Sequence, residues 1–395
     1  MNYAFSDKVS GLQASAIREI LKFCAFPDVI SFAAGNPAPE AFPTKVLADL
    51  SDSVLKHDPI LALQYNITEG YTPLRDALKD WMGSRHCFAP GSDDLIITSG
   101  AQQANELACK VLCNEGDTLI CESPSFIGSL NAFRSYHVNL VGVEMEEDGI
   151  RLDLLEQALK DAKKAKLIYL IPNFQNPTGR TMSWEKRKAV YALAQQYDAV
   201  ILEDNPYGDL RFAGEDIPAI KTLDTDGRVI YTGTFSKILA PGYRLGWVCA
   251  DDAILAKYNF MKQAASLQAS TIGQMETSKW IDMFDLDKHV DTIRECYKKR
   301  RAVMLETLAK ELPEPCTFTR PEGGLFAWVV LPEYMDAKEL QMKCLEKKVA
   351  FVPGGSFFPN GGHENTLRLN YSCMPEEKIV QGITALCQTI RENLH

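Results

Sequence analysis

Through the middle of the chain, short unbroken apolar runs alternate with stretches whose apolar residues recur every three or four positions. Seven runs predict buried strands, being too short for helices: Leu95–Thr98, Thr118–Cys121, Val138–Val143, Leu167–Ile171, Ala199–Leu202, Val229–Tyr231 and Leu245–Val248. Between them, Ala104, Leu107, Ala108, Val111 and Leu112 share one face of a predicted helix, as do Ala189, Val190, Leu193, Ala194 and Tyr197. Such alternation implies an α/β fold with a mostly parallel sheet sandwiched by helices. Ligands of these sheets bind beyond the carboxyl ends of the strands. Past about Ile272 the rhythm changes to long helices ending near Leu312–Pro313, then to a strand–turn–strand stretch through Gly323–Val330. That change predicts a large domain over 51–289 and a smaller α+β domain over 290–395.

Composition narrows the function classes. The 395 residues allow about two or three domains with real cores. With 46% hydrophobic and 24% charged residues, disordered and fibrous classes are excluded. The net charge of −10 is dispersed, and the basic cluster Lys298–Arg301 sits in a helical pattern as a solvated face. No nucleic acid and no membrane is therefore expected as a partner; the substrates are small molecules. The eleven cysteines show no C-x-x-C pair, and Cys109 with Cys113 has no histidine beside it, so free thiols in a reducing compartment are expected rather than disulfides or zinc. No signal peptide is visible at Met1–Lys8 and no apolar run spans a bilayer, so a cytoplasmic location and no metal are expected.

Candidate chemistry concentrates at Thr234–Trp247, directly after the strand at 229–231. Two hydroxyls, Thr234 and Ser236, stand with Lys237 and Arg244 around a Pro241–Gly242 break. Hydroxyl and guanidinium groups donate hydrogen bonds that suit a phosphate ester. The lysine between them sits among Phe235, Ile238, Leu239 and Ala240, which is no description of a wet surface. Such an amine can capture an aldehyde cofactor as a Schiff base.

Four other turns follow predicted strands. Ser99–Gln103 opens a helix, whose free N–H groups and dipole suit an anion as readily as they suit an ordinary capping turn. Phe126 follows Ser123–Ser125 and can stack on a planar ring or simply fill core. Asn173–Gly179 presents the Asn176 carboxamide on an Asn-Pro turn. Glu203–Tyr207 places the Asp204 carboxylate three positions before the Tyr207 phenol. A buried carboxylate needs a cationic or hydrogen-bonding partner, which a protonated pyridine nitrogen would supply.

N-P-T-G at 176–179, E-D-N-P-Y at 203–207, S-K-x-L-A-P-G-x-R-x-G-W at 236–247 and R-L-N-Y-S at 368–372 resemble the fold type I, class I aminotransferases. The resemblance spans nearly the whole chain in order. The stretch Gln13–Leu21 leading to Ile30–Pro37 is similar to the subgroup of 2-aminoadipate, kynurenine and multi-substrate aromatic aminotransferases. The resemblance implies pyridoxal 5′-phosphate as cofactor and Lys237, Asp204 and Tyr207 as catalytic residues. Lys237 would carry the cofactor, Asp204 would pair with its ring nitrogen, Asn176 and Tyr207 would hold its ring oxygen, and Phe126 would stack on the ring. Gly100, Ala101, Gln102, Thr234, Ser236 and Arg244 would cradle the phosphate. Ala101 departs from relatives that carry a serine there. Tyr65 would reach the phosphate of a neighbouring subunit, implying a homodimer with shared active sites. Arg368 would bind the substrate α-carboxylate with Asn176 and Gly35, and Arg18 and Ser15 would complete the substrate site from an N-terminal arm over 1–50.

The implied activity is transfer of an amino group between an L-amino acid (2-aminoadipate, glutamate, aromatic or aliphatic) and a 2-oxo acid such as 2-oxoglutarate, by ping-pong chemistry. Arg18, on an amphipathic helix with Ile17, Ile20, Leu21 and Cys24, reads either as a solvent-facing arginine or as the group meeting a distal carboxylate. Two alternatives stay open: a lyase using the same cofactor, and a ligand-sensing regulator with an aminotransferase-like domain. The second needs about sixty or more residues ahead of the site motifs for a basic recognition helix, whereas here those motifs begin by Gly35.

Overall fold

The structure, a computed structural model, describes residues 3–10, 26, 28–85, 87–89, 91–162 and 165–395. Its centre is an eight-stranded sheet. In spatial order the strands are Asp93–Thr98, Gly246–Asp251, Val229–Thr234, Val200–Asp204, Ala165–Leu170, Thr118–Ser123, Asn139–Glu146 and Gly149–Ile150. Neighbours from Val229–Thr234 through Asn139–Glu146 run parallel. Gly246–Asp251 is antiparallel to both strands beside it, and Gly149–Ile150 is an antiparallel edge. All seven strands expected from the apolar runs are present, their ends shifted by a few residues.

The strands form because the runs are apolar on both faces and the sheet is covered on both. All six residues of Val229–Thr234 are buried. The helix Ala101–Leu112 buries Ala104, Leu107, Ala108 and Cys109 against the sheet, and Trp184–Gln196 buries Val190, Tyr191 and Ala194. Burial of each large aliphatic side chain contributes roughly 1.5–3 kcal/mol, so this packing fixes the strand ends that carry the chemistry.

A second core gathers around a four-stranded antiparallel sheet, in the order Thr317–Phe318, Phe326–Val330, Thr366–Asn370 and Val352–Pro353. It is completed by the parallel pair Ile30–Ser31 with Val349–Ala350 and by the helices Ala337–Glu346 and Glu376–Glu392. The helix Leu286–Glu311 joins the two cores: Leu286, Val290, Ile293 and Tyr297 pack in the large one, Met304, Leu305 and Leu308 in the small one. The division drawn at 289/290 thus falls inside one continuous helix. Among the described residues no helix is long and apolar enough to cross a membrane, and no cluster of His, Cys, Asp or Glu could hold a metal ion.

Candidate active site

Two glycines bring the first turn of the site together. Gly100 has φ +81°, a left-handed conformation that side chains rarely adopt, and an added Cβ would lie 2.6 Å from the Arg244 Nη2. Gly246 pairs with Thr98 on one side and Thr234 on the other. An added Cβ there would come within 2.8 Å of the Ala101 nitrogen, so only glycine lets that strand pass the helix start so closely. The turn before helix Ala101–Leu112 and the loop after Val229–Thr234 are therefore neighbours.

These pieces line a cavity of about 420 Å³. At its polar rim, the Thr234 Oγ1 donates to the Ser236 Oγ at 3.0 Å, and the Arg244 Nη1 donates to the same oxygen at 3.4 Å. The one Thr234 proton is shared with the Leu245 carbonyl at 3.1 Å, and the Ser236 N–H donates to the Thr234 Oγ1 at 3.1 Å. The Arg244 Nη2 meets the Ser99 carbonyl at 3.3 Å. Helix Ala101–Leu112 has no side-chain cap, and the first N–H groups of any helix lack intrahelical partners. The Gln102 side chain turns away and donates to the Gly128 carbonyl at 2.9 Å. Half-buried Phe126 lines the wall, its ring so close to Gly128 that a Cβ there would sit 2.5 Å from the Phe126 Cζ.

The inner wall is sealed. Asp204 ends the strand Val200–Asp204, is 3% exposed, and accepts from the Asn105 Nδ2 at 2.7 Å, the Tyr169 hydroxyl at 2.8 Å and the Thr232 Oγ1 at 3.2 Å. Burial pushes its carboxyl up to about 6, against the pull of those three hydrogen bonds. Lys237 projects into the same cavity, its Nζ donating to the Gly35 carbonyl at 2.7 Å. Burial, helped by the positive charges of Arg368 and Arg244, lowers its amine to about 8.

Arg368 comes from the small sheet, 3% exposed, and its Nη1 donates to the Asn176 Oδ1 at 2.8 Å and its Nη2 to the Ala33 carbonyl at 2.7 Å. The guanidinium lies 4.2 Å from the Phe326 ring centre and 5.1 Å from that of Phe357. Its buried Nε has no partner among the described residues, so one charged donor is left to be satisfied there. The Asn176 Nδ2 donates to the Tyr207 hydroxyl at 3.4 Å, and burial raises that phenol far above its ordinary range. The Tyr207 ring meets Phe326 edge-on at 5.9 Å.

Of the residues singled out from the sequence, Gly35, Ala101, Gln102, Phe126, Asn176, Asp204, Tyr207, Thr234, Ser236, Lys237, Arg244 and Arg368 line this one cavity, with Gly100 directly behind. Tyr65 does not: it is 78% exposed on the surface. Ser15 and Arg18 lie outside the described residues. Sequence reasoning missed Asn105, Ile171, Pro206 and Phe326 in the lining, and Tyr169 and Thr232 behind Asp204. For Asn105 a signal existed, a carboxamide inside an apolar helical stripe; Phe326 offered none beyond its neighbouring glycines.

A second cavity, of about 480 Å³, is lined by Trp81, Arg85, Trp184, Arg211 and Arg294 among others. Its guanidinium groups are held by carboxylates: Arg85 by Asp287, Arg211 by Glu322 and Arg294 by Asp291. Cys87, Asp209 and Asp216 also line it, but no lysine amine and no glycine-lined helix start do.

The first cavity fits pyridoxal phosphate on its own chemistry. It offers an amine of lowered pKa for the aldehyde, a desolvated carboxylate for the ring nitrogen, and a glycine-lined helix start with two hydroxyls and a guanidinium for the phosphate. The comparisons agree. The family model described as "Aminotransferase class I and II" matches residues 27–386. The aromatic-amino-acid aminotransferase 1 of Thermococcus litoralis is 45% identical, covering 99% of this chain and 94% of that one. The 2-aminoadipate transaminase of Thermus thermophilus is 38% identical over 98% of this chain and 96% of its own. The solved structure of a kynurenine aminotransferase from Pyrococcus horikoshii, in complex with PMP, KYN and KYA, superposes with a TM-score of 0.95 at 41% identity, covering 99% of this chain and 98% of that one.

Proposed function

We propose that this chain, which belongs to the aminotransferase class I and II family and is a pyridoxal-phosphate-dependent aminotransferase, moves an amino group between an L-amino acid and 2-oxoglutarate. The amino donors are 2-aminoadipate, glutamate, and aromatic or aliphatic amino acids, by likeness to the relatives named above. The observation that carries the reading is the convergence of the Lys237 amine, the Asp204 carboxylate and the Arg368 guanidinium on one cavity.

When bound, pyridoxal phosphate supplies an aldehyde that an amine can capture and a protonated ring that accepts electron density from the substrate Cα. Gly100, Ala101, Gln102, Thr234, Ser236 and Arg244 hold its phosphate, and Phe126 packs against its ring. Asp204 keeps the ring nitrogen protonated, and Asn176 with Tyr207 holds the ring oxygen. The Lys237 Nζ would hold the cofactor by its aldehyde and, as a free amine, would take the proton from the substrate Cα. Its lowered pKa leaves a useful fraction of free base near neutrality. Arg368 binds the substrate α-carboxylate, and its spare Nε gives that anion a donor not already committed. Buried Phe326 and Phe357 keep water from the guanidinium, which strengthens the bond. Running the two half-reactions through one site gives ping-pong kinetics.

The functional unit is a homodimer with shared sites. Ile60, Leu63 and Tyr65 are 79%, 74% and 78% exposed within one short stretch, an apolar surface that a second copy would cover, bringing Tyr65 to its phosphate. A reducing, cytoplasmic setting suits the cysteines, since no disulfide joins any two of the described ones.

The test is a panel of amino donors assayed against 2-oxoglutarate, with pyruvate release measured without any oxo-acid acceptor. Parallel-line kinetics with 2-aminoadipate, glutamate or an aromatic donor are expected. Acceptor-independent pyruvate release would overturn the reading in favour of a lyase.

A further inference from the structure

Asn105 was not among the residues expected in the site, and it is 1% exposed among Ala104, Leu107, Ala108 and Cys109 on the buried face of its helix. Both ends of its carboxamide are committed. The Nδ2 donates to the Asp204 Oδ2 at 2.7 Å and to the Ser129 Oγ at 3.1 Å, while the Oδ1 accepts from the Thr232 Oγ1 at 3.2 Å. Turning the amide over would set its oxygen against the Asp204 carboxylate, so only one orientation satisfies the network. Asn105 also lines the cavity and lies on the helix whose first residues, Ala101 and Gln102, form part of the rim.

We infer that Asn105 is a positioning residue for Asp204: its amide holds the carboxylate ionised and turned into the cavity, and its helix fixes the distance between that carboxylate and the phosphate-binding turn. The inference rests on the reading that Asp204 meets the cofactor's ring nitrogen. Two donors share the Asp204 Oδ2, Asn105 and the Tyr169 hydroxyl, so neither alone defines the charge. Asn105, however, also meets the Thr232 hydroxyl, whose one proton is shared at 3.2 Å between the Asn105 Oδ1 and the Asp204 Oδ1, so it borders the donors of both oxygens. A hydrogen bond to a charged group favours the charged form.

The experiment measures equilibrium binding of pyridoxamine 5′-phosphate to the apoenzyme between about pH 5 and pH 9, a range that brackets the buried carboxyl. Wild-type affinity is expected to fall as pH drops through about 6, where Asp204 takes a proton. Asn105→Leu is expected to move that midpoint upward and to weaken binding near neutrality by about tenfold, the scale of one charged hydrogen bond. Asn105→Asp, which keeps the shape if the leucine variant fails to fold, is expected to move it further, because two facing carboxylates share one proton. Asp204→Asn is expected to abolish the step, apart from the change that the ligand phosphate's own ionisation near about 6 gives every variant alike. If Asp204→Asn abolishes it while both Asn105 variants keep the wild-type midpoint, the positioning role is wrong; weaker binding at an unmoved midpoint counts the same way, as a merely structural effect. If Asp204→Asn retains the wild-type curve, it is the pairing of Asp204 with the ring nitrogen that fails.

Discussion

The two ends of the cavity are built on opposite plans. At the inner wall, Asp204 and Arg368 are each 3% exposed; Asp204 accepts hydrogen bonds of 2.7–3.2 Å, and Arg368 donates two of 2.7–2.8 Å. At the rim, exposed Arg244 makes contacts of 3.3–3.5 Å to Ser99, Ser236 and Pro241, and the remaining donors are short hydroxyls and backbone groups. Desolvation moves the pKa of every titratable group of the inner wall: up for Asp204 and Tyr207, down for Arg368. At the rim only the Arg244 charge is left in water, beside buried Thr234 and Ser236, and a dianion such as phosphate brings charge enough to bind there, whereas tuning an acid or base by whole pKa units requires water to be excluded. Lys237 stands where the two plans meet, its amine lowered by burial and by an arginine from each end.

The largest effect is expected at that junction. Lys237→Ala should lower kcat by about 10⁴-fold or more, and borohydride should fix the cofactor on wild-type protein but not on the variant. Covalent loading of wild type should accelerate as pH rises through about 8, well below the 10.5 of an ordinary lysine. A loading profile that climbs only near 10.5 would remove Lys237 from the desolvated wall.

Next in size is a pH effect confined to the sealed end. The Asp204 carboxyl is raised from 3.8 to about 6 in the folded protein. Its contribution to apoprotein stability is therefore full below 3.8 and is lost as pH rises through 6, a swing of roughly 3 kcal/mol at about 1.4 kcal/mol per pKa unit. The difference in unfolding free energy between wild-type and Asp204→Asn apoprotein should change by that order between about pH 4 and pH 7. A flat difference would show the carboxylate is not desolvated.

Smallest is the contrast between the two arginines. Arg368→Leu should raise KM for amino acid and oxo acid by about 100-fold while leaving cofactor affinity within about twofold, and Arg368→Lys should restore little of it. Arg244→Ala should do the reverse, weakening cofactor binding by about tenfold, with a loss that shrinks at high salt. If both variants affected cofactor and substrate alike, the division of the cavity into wall and rim would fail.

Much of this was legible in order along the chain. Short apolar runs fix strands wherever a sheet is covered on both faces, and chemistry placed just after them arrives at the carboxyl edge, so Asp204, Thr234, Ser236 and Lys237 reach one cavity because each follows a strand. The apolar pattern did not reveal that Gly246–Asp251 runs antiparallel, since a buried strand reads the same in either direction. Nor did it reveal Phe326 under Arg368, which depends on the register of Phe326–Val330 against Thr366–Asn370. Asn105 is the sharpest case. The sequence determined that a carboxamide sits in an apolar helical stripe, because helical spacing is a local property. That it faces Asp204, 99 positions away, was decided only when the helix packed on the sheet, because the hydrogen-bond partner of a buried polar group is set by tertiary contact and not by neighbours along the chain.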